Sequence, residues 1–89
     1  MSTVAAAPQT RTIFQVDDHA IVRQGLRAVI EKQDGLAVCG CAADATEALG
    51  RMSELEPDLA VVDISLPGRS GLDLVADIRG RLPDTEVLV

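Results

Sequence analysis

Short apolar runs alternate with segments of helical periodicity along this chain. The apolar runs have the length of strands, whereas the segments between them repeat apolar residues every three or four positions. Such alternation is typical of strands joined by crossover helices, which build a parallel sheet. The sequence therefore predicts a βαβαβαβ order, with strands at Ile13 to Val16, at Leu36 to Ala42, from Leu59 up to Asp63, and within Thr85 to Val89.

The first helix is expected from Ala20 to Lys32. Asp18 is placed to cap its start, and Gly35 lies just beyond its end. The apolar residues that recur at helical spacing in this segment are Val22, Leu26, Val29 and Ile30.

Two further helices are predicted. Asp44 and Glu47 form the pattern of a capping box at the start of the second helix, which must finish before Pro57. The third helix is expected from about Gly71 to Leu82, with Pro83 closing it. The residues expected on the buried faces are Ala45, Ala48, Leu49 and Met52 in the second helix, and Val75, Ile78 and Leu82 in the third.

Acidic residues follow two of the apolar runs. Asp17 and Asp18 come directly after the first strand, and Asp63 follows the third. Right-handed crossovers bring the carboxyl ends of parallel strands to one edge of the sheet, where open α/β sheets bind their ligands. Neighbouring strands lie about 4.8 Å apart, so we expect three carboxylates to crowd together if these two strands are neighbours.

Crowded carboxylates need a cation or a proton to offset their repulsion, and a cluster of oxygen ligands suits a hard divalent ion. The sequence therefore predicts a Mg²⁺ site. Beside such an ion, a free oxygen of Asp63 is a plausible nucleophile towards phosphorus. The predicted chemistry is transfer of a phosphoryl group to aspartate.

Three sequence stretches closely resemble the receiver domain of bacterial two-component response regulators. The resemblance is greatest to the subgroup whose receivers precede a helix-turn-helix output domain of the LuxR/NarL/FixJ-like kind. It spans nearly the whole chain and implies a flavodoxin-like, doubly wound parallel sheet. The stretches are VDDHAIVRQGLRAVIE from Val16 to Glu31, ADATEAL from Ala43 to Leu49, and PDLAVVDISLPGRSGLDL from Pro57 to Leu74.

The resemblance also implies roles for individual residues. Asp63 would accept the phosphoryl group from a sensor histidine kinase, and Asp18 would bind Mg²⁺ directly. Asp17 would help to place the ion, through a water molecule, and the backbone carbonyl of Ser65 would complete the protein's ligands. Pro67 and Gly71 would shape the loop after Asp63, and the Ser65 side chain would tune the lifetime of the phosphoryl group.

One departure from the family pattern concerns the end of the chain. The pattern continues beyond a fourth strand to a Ser or Thr, then a helix, a fifth strand ending in Lys and a last helix, whereas this sequence ends at Val89. We therefore expect an incomplete sheet that lacks the fifth strand and the last two helices. The expected organisation is a flexible leader over residues 1–11 and a truncated receiver domain over residues 12–89.

Composition narrows the partners of this chain. The net charge is −6 and only eight Lys and Arg residues are present, which argues against direct DNA binding by this part of the protein. No stretch is apolar enough to span a bilayer and no secretory signal is apparent, so we expect a cytoplasmic location without membrane contact. DNA binding is expected of a longer parent, on analogy alone.

Exposed apolar faces and a bare edge strand are expected from the missing elements. Both features favour strand pairing and association, so a homodimer or a domain-swapped oligomer is expected.

Two alternative functions are open. The first is an interaction or dimerisation module that is never phosphorylated, against which the intact set of Asp17, Asp18 and Asp63 argues. The second is an aspartate-based phosphohydrolase, whose usual pattern places a general acid two residues after the nucleophile. Ser65 occupies that position, so an enzyme is disfavoured. The expected chemistry is limited to self-directed phosphotransfer and autodephosphorylation.

The remaining polar and thiol residues have plain interpretations. His19 is expected to be an exposed residue at a helix start, without a partner group. Cys39 and Cys41 are expected to be small core residues of a reducing compartment. Gln15 interrupts the first strand, so either its side chain finds a hydrogen-bond partner or the strand is locally weakened.

Overall fold

The computed structural model describes residues 10–66 and 70–89, and it contains the predicted alternation of strands and helices within them. The second strand lies where the sequence predicted it, and the other elements begin or end within about two residues of their predicted limits. In chain order the elements are β1 (Arg11–Val16), α1 (Ala20–Glu31), β2 (Leu36–Ala42), α2 (Ala45–Leu55), β3 (Leu59–Val62), α3 (Gly71–Arg81) and β4 (Glu86–Leu88).

The four strands form one parallel sheet in the order β2-β1-β3-β4. β1 lies in the centre between β2 and β3, and β4 is an edge strand. The change of direction in strand order between β2 and β3 creates the crevice at which doubly wound sheets bind ligands. The predicted flavodoxin-like fold class is confirmed, with four strands and three helices in the described part of the chain.

The hydrophobic core lies between the sheet and the pair of helices α2 and α3. Phe14 and Val16 from β1 and Ala60 and Val62 from β3 point into it, because alternate residues of a strand share a face. The helices contribute buried side chains from the faces that the sequence predicted, and also Leu74, which the sequence analysis missed. The buried apolar side chains of the two helices are Ala45, Ala48, Leu49, Met52, Leu74 and Ile78.

Helix α1 is far more exposed than its apolar spacing suggested. Ile30 is its one buried residue and Leu26 is partly covered, but Val22 is 48% exposed and Val29 is 57% exposed. Ile21, outside the predicted stripe, is also exposed. The periodicity identified the helix correctly, yet it did not show how much of the apolar face is covered in the fold.

The first strand begins at Arg11, one residue before the predicted start of the domain. Backbone pairing reaches that far because the Arg11 amide donates to the Gly35 carbonyl at 2.7 Å. The Asp58 carboxylate then accepts from the Thr12 amide at 2.8 Å, which ties the start of β1 to the segment before β3. Most of the predicted leader, residues 1–9, lies outside the described residues.

Two helices begin at side-chain caps. Asp44 Oδ1 accepts from the Glu47 amide at 2.8 Å, as the predicted capping box requires, and Glu47 Oε1 accepts from the Ala43 amide. Ser70 Oγ accepts from the Asp73 amide at 3.1 Å and caps α3. Each cap satisfies an amide that has no partner inside its helix.

Gln15 is buried in β1, and its side chain has found a partner. Its Nε2 donates to the Arg23 carbonyl of α1 at 3.1 Å, so the first of the two open interpretations is correct.

Among the helices of the described residues, none is long and apolar enough to cross a membrane.

Gly71 is required by a close approach of the backbone at the start of α3. A Cβ at this position would lie 2.5 Å from the Asp63 carbonyl oxygen and 2.5 Å from Ile64 Cα, so a side chain forces the backbone to move. Gly80, in the same helix, has no atom within 4 Å of the corresponding position. The two glycines therefore form a matched pair.

We expect Gly71→Ala to lower the free energy of unfolding by about 2 kcal/mol or more, since backbone atoms cannot yield as a side chain does. Gly80→Ala should raise it by up to about 1 kcal/mol, because alanine favours an open helix interior. Urea unfolding of both variants measures the difference. Equal effects of the two substitutions would contradict the close approach at Gly71.

Candidate acidic metal centre

Two strand ends deliver the acidic residues to one place. Val16 at the end of β1 lies opposite Val62 at the end of β3, so Asp17 and Asp63 follow at the same level of the sheet. The Asp63 amide donates to the Val16 carbonyl at 2.9 Å, and the Asp17 amide donates to the Ala42 carbonyl of β2 at 3.1 Å. Backbone bonds to neighbouring strands thus hold both residues.

The predicted carboxylates converge. One ligand atom from each of Asp17, Asp18, His19 and Asp63 lies within 4.8 Å of the others. The Asp17 and Asp63 side chains are mostly covered and that of Asp18 is about one-third exposed, so the cluster is open to ions from solvent. A set of three carboxylates fits a hard divalent cation such as Mg²⁺.

His19 has partners that the sequence analysis did not foresee. Its side chain is 60% exposed, as expected, but Nδ1 lies 2.9 Å from Asp17 Oδ1 and 3.0 Å from Asp18 Oδ1. Asp63 Oδ2 is 4.0 Å away. The expectation of a histidine without a partner group was wrong, because the turn after β1 brings the ring over the acids. The sequence signal was its place directly after the two aspartates.

The neighbouring carboxylates raise the pKa of His19 above its usual 6.5. The hydrogen bond with Asp17 is the largest cause, followed by the charge of Asp18, while Asp63 adds a smaller effect. These contacts stabilise the protonated form of the ring.

Asp18 does not cap α1, so that prediction was wrong. His19 occupies the N-cap position and makes no side-chain cap hydrogen bond. Asp17 Oδ1 instead accepts from the His19 amide at 2.8 Å, which closes the turn between strand and helix. Since Asp18 is not engaged with the helix, its carboxylate is available to the cluster.

Ser65 fixes one oxygen of Asp63. The Ser65 amide and hydroxyl both donate to Asp63 Oδ1, at 2.9 Å and 2.8 Å. The amide is the larger and the hydroxyl the second cause that lowers the pKa of Asp63 below its usual 3.8, and the nearby His19 adds to the effect. Asp63 is therefore an anion at neutral pH, with Oδ1 held by Ser65 and Oδ2 facing the cluster.

Arg23 is a further residue that the sequence analysis missed. Its guanidinium donates to the Asp17 carbonyl, and its own carbonyl accepts from the buried Gln15. These two bonds connect α1 to the end of β1. The predicted role of Pro67 in the loop after Asp63 falls on a residue outside the described part of the chain.

The family model, the relatives and the solved structures that this chain resembles all point to one family. The model of the response regulator receiver domain matches residues 13–89. The chain is 39% identical over 77 residues to the DNA-binding transcriptional activator DevR/DosR of Mycobacterium tuberculosis, covering 86% of this chain and 36% of that relative. It thus spans about a third of the length of the curated relatives that it matches.

Two solved structures extend this comparison. A two-component response regulator of the LuxR family from Aurantimonas sp. has a TM-score of 0.83 and 42% identity, over 89% of this chain and 56% of that one. Another similar structure is that of the histidine kinase ThkA in complex with the response regulator protein TrrA. It matches with a TM-score of 0.78 and 29% identity, over 88% of this chain and 66% of that one.

The geometry of His19 predicts its titration in metal-free buffer. We expect a pKa above 6.5, which Asp17→Asn lowers more than Asp63→Asn, because the contact with Asp17 dominates. A raised pKa stabilises the fold fully below pH 6.5, and this contribution is lost as the pH rises through the folded-state pKa. NMR of the imidazole ring measures the pKa directly. A value at or below 6.5 would contradict the contacts.

Proposed function

The chain belongs to the response regulator receiver domain family, and from that premise we propose that Asp63 accepts a phosphoryl group from a sensor histidine kinase. The observation that most supports this proposal is the geometry of the Asp63 carboxylate. One of its oxygens accepts hydrogen bonds from Ser65, and the other faces the acidic cluster. The kinship with TrrA, a regulator solved in complex with a histidine kinase, supports the choice of donor.

The chemistry proposed for Asp63 is a displacement at phosphorus. A carboxylate oxygen attacks the phosphoryl group of a phosphohistidine, the bond from phosphorus to the imidazole nitrogen breaks, and an acyl phosphate forms on Asp63. The lowered pKa of Asp63 keeps the attacking group ionised at neutral pH. Ser65 favours Oδ2 as the attacking atom, because Oδ1 already accepts two hydrogen bonds.

The acidic cluster is proposed to hold Mg²⁺. Asp18 and Asp63 would bind the ion directly, Asp17 would bind through a water molecule, and the Ser65 carbonyl would complete the set. When bound, the ion offsets the negative charge that gathers on the transferring phosphoryl group. The hydrogen bonds of Asp17 to the His19 amide and of Asp63 to Ser65 orient these carboxylates in advance.

Receiver domains of this family are signalling domains and not classical enzymes. For this chain we propose the same limit, phosphotransfer to itself and slow loss of its own phosphoryl group. Ser65 stands two residues after Asp63, where an aspartate-based phosphohydrolase carries an acid, and its hydroxyl bonds the Asp63 carboxylate. No general acid is therefore supplied from that position.

Control of transcription is proposed for the whole protein. The relative DevR/DosR is named as a DNA-binding transcriptional activator, and this chain corresponds to about a third of it. The net charge of −6 argues against DNA binding by this chain itself, so we propose that DNA binding belongs to the rest of a longer protein. A cytoplasmic location belongs to the same proposal, since the phosphodonor and the DNA are found there.

Association between copies is a second candidate activity. Ile21, Val22 and Val29 on α1 and Leu88 on the edge strand are large apolar side chains that solvent reaches. Such exposure, together with an edge strand, favours a homodimer or a domain-swapped oligomer.

Acceptance of phosphate is tested by intact-protein mass spectrometry after incubation with Mg²⁺ and acetyl phosphate. We expect one added phosphoryl group on the wild type and none on Asp63→Asn. Asp34→Asn is the matched control, because Asp34 precedes β2 and so lies at the opposite end of the strands. It should accept the group as the wild type does.

The opposite outcomes are equally clear. A phosphoryl group that persists in Asp63→Asn would place the acceptor elsewhere. Absence of any addition to the wild type, in a sample whose NMR spectrum is that of a folded protein, would leave the interaction module as the better description.

A further inference from the structure

One backbone carbonyl joins Asp17 to Asp18, and a side chain of α1 holds it. The guanidinium of Arg23 donates to the Asp17 carbonyl, while the Asp17 amide donates to the Ala42 carbonyl of β2 at 3.1 Å. A peptide unit is planar, so a bond to the Asp17 carbonyl also fixes the plane that contains the Asp18 amide and Cα. Arg23 therefore influences the direction in which the chain enters Asp18.

Asp18 depends on this peptide unit more than the other two acids do. Asp17 and Asp63 each have one carboxylate oxygen that accepts from the backbone amide two residues later. The Asp18 carboxylate is held differently, because its Oδ1 lies 3.0 Å from Nδ1 of the exposed His19 ring. An exposed ring restrains a side chain less than a backbone amide does. The position of Asp18 thus follows mainly from the backbone that precedes it.

Arg23 is itself held by a buried side chain of β1. Gln15 is 2% exposed, and its Nε2 donates to the Arg23 carbonyl at 3.1 Å. The Arg23 amide donates to the His19 carbonyl, also at 3.1 Å. Gln15 lies two residues before Asp17 in the sequence. The bonds therefore form a closed set, in which Gln15 of β1 holds Arg23 and Arg23 holds the residue that follows β1.

The buried amide of Gln15 provides direction more than stability. A buried amide stabilises a fold little more than an apolar side chain of the same volume, because its hydrogen bond mainly offsets the cost of leaving water. An apolar residue would suit this interior strand position as well. The amide adds a fixed position for Arg23 relative to β1.

The contact that Arg23 makes differs from that of the next arginine in α1. Arg27 pairs with the Glu31 carboxylate at 3.3 Å, whereas the partly buried Arg23 donates to a backbone carbonyl. A guanidinium presents its N–H groups in a fixed plane, so it orients the carbonyl that accepts from it. Arg27 has the same side chain on the same helix and pairs with another partner, so it provides a matched control.

We propose that Gln15 and Arg23 are positioning residues for phosphoryl acceptance, which act together through the Asp17 carbonyl to place the Asp18 carboxylate. The inference rests on the proposed function in one respect, that Asp18 is a ligand of the ion that supports phosphorylation of Asp63. Loss of either positioning contact then weakens Mg²⁺ binding by the acidic cluster while the fold stays intact.

The test measures phosphorylation by acetyl phosphate as a function of Mg²⁺ concentration, with intact-protein mass as the readout. Arg23→Gln should raise the half-saturating Mg²⁺ concentration by about tenfold, the loss typical of groups that orient metal ligands. Arg23→Lys should recover part of this loss, because an ammonium can donate to the same carbonyl without the fixed plane of a guanidinium. Arg27→Gln removes the same charge from the same helix and should leave the value close to that of the wild type.

Gln15→Met separates positioning from stability. Methionine has nearly the volume of glutamine and no amide, so the urea midpoint should stay at or above that of the wild type. The half-saturating Mg²⁺ concentration should nevertheless rise. If Gln15 acts through Arg23, the double variant should differ little from Arg23→Gln alone. Effects of the two substitutions that simply multiply would show that the residues act separately and would overturn the proposal.

Amide NMR provides a readout that does not depend on phosphorylation. Without added metal, Arg23→Gln should shift the Asp18 amide signal more than Arg27→Gln does, because this amide belongs to the peptide unit that loses its contact. Titration of the same signal with Mg²⁺ gives the affinity directly. Wild-type Mg²⁺ affinity in Arg23→Gln would show that Arg23 only ties the helix to the strand. If Arg23→Gln does not fold, Arg23→Lys and Gln15→Met decide the same question.

The two readouts distinguish failure of this inference from failure of the proposed function. If the wild type is phosphorylated and the variants at Gln15 and Arg23 need no more Mg²⁺, the inference alone fails. If only the dependence on acetyl phosphate concentration changes, Arg23 contacts the phosphodonor and the inference also fails. If the variants bind Mg²⁺ more weakly by NMR and Asp63 of the wild type is never phosphorylated, the proposed function fails and the positioning role stands.

Discussion

The hydrogen bond from the Asp63 amide to the Val16 carbonyl, 2.9 Å long, is the contact on which the acidic centre depends. It continues the parallel pairing of β1 with β3 by one step beyond the last paired residues, Val16 and Val62. Because side chains alternate along a strand, a shift of one residue would turn Asp63 to the other face of the sheet. The register is fixed in turn by the buried residues Phe14 and Ala60, which pair at the middle of the two strands.

Backbone amides next to Asp17 and Asp63 hold one oxygen of each carboxylate in place. Asp17 accepts the His19 amide and Asp63 accepts the Ser65 amide, so each has one oxygen committed to a local turn. The bond from the Ser65 amide lowers the pKa of Asp63 and so stabilises its charged form, without supplying a counter-ion. The remaining oxygens and Asp18 face one another, and like charges at this range need a cation. The His19 ring lies within 3.0 Å of oxygens of Asp17 and Asp18, which explains why its pKa is raised.

Sequence reasoning predicted the part of this arrangement that follows from periodicity. The apolar runs that end before Asp17 and Asp63 predicted the two strands. Their parallel pairing and the convergence of the acids followed, because right-handed crossovers bring the carboxyl ends of parallel strands to one edge of the sheet. Sequence reasoning did not predict the contacts that depend on the conformation of the turn between β1 and α1. Asp18 was assigned the cap of α1, since capping preferences describe residue types and not the return of the Asp17 side chain to the His19 amide. The same turn brings His19 to the acids.

Sequence reasoning also did not predict how much of each helix is covered by the rest of the fold. Val22 and Leu26 of α1 have the same spacing as Leu74 and Ile78 of α3, yet the α1 pair is exposed or partly exposed and the α3 pair is buried. Periodicity reports that a helix has an apolar face, whereas coverage depends on what packs against it. α3 lies against α2 over the core, while α1 lies on the other side of the sheet with mainly β2 beneath it.

We propose that one ion-binding space is formed at the carboxyl ends of β1 and β3. Paramagnetic broadening of amide NMR signals by substoichiometric Mn²⁺ tests it most directly, since Mn²⁺ accepts the same oxygen ligands as Mg²⁺. The signals of Asp17, Asp18, Asp63 and Ser65 should disappear first. Those of Thr12 and Glu86 should persist, because four residues of strand separate Thr12 from Val16 by roughly 13 Å. Broadening spread evenly over the surface acids, or centred on Asp58, would contradict the account.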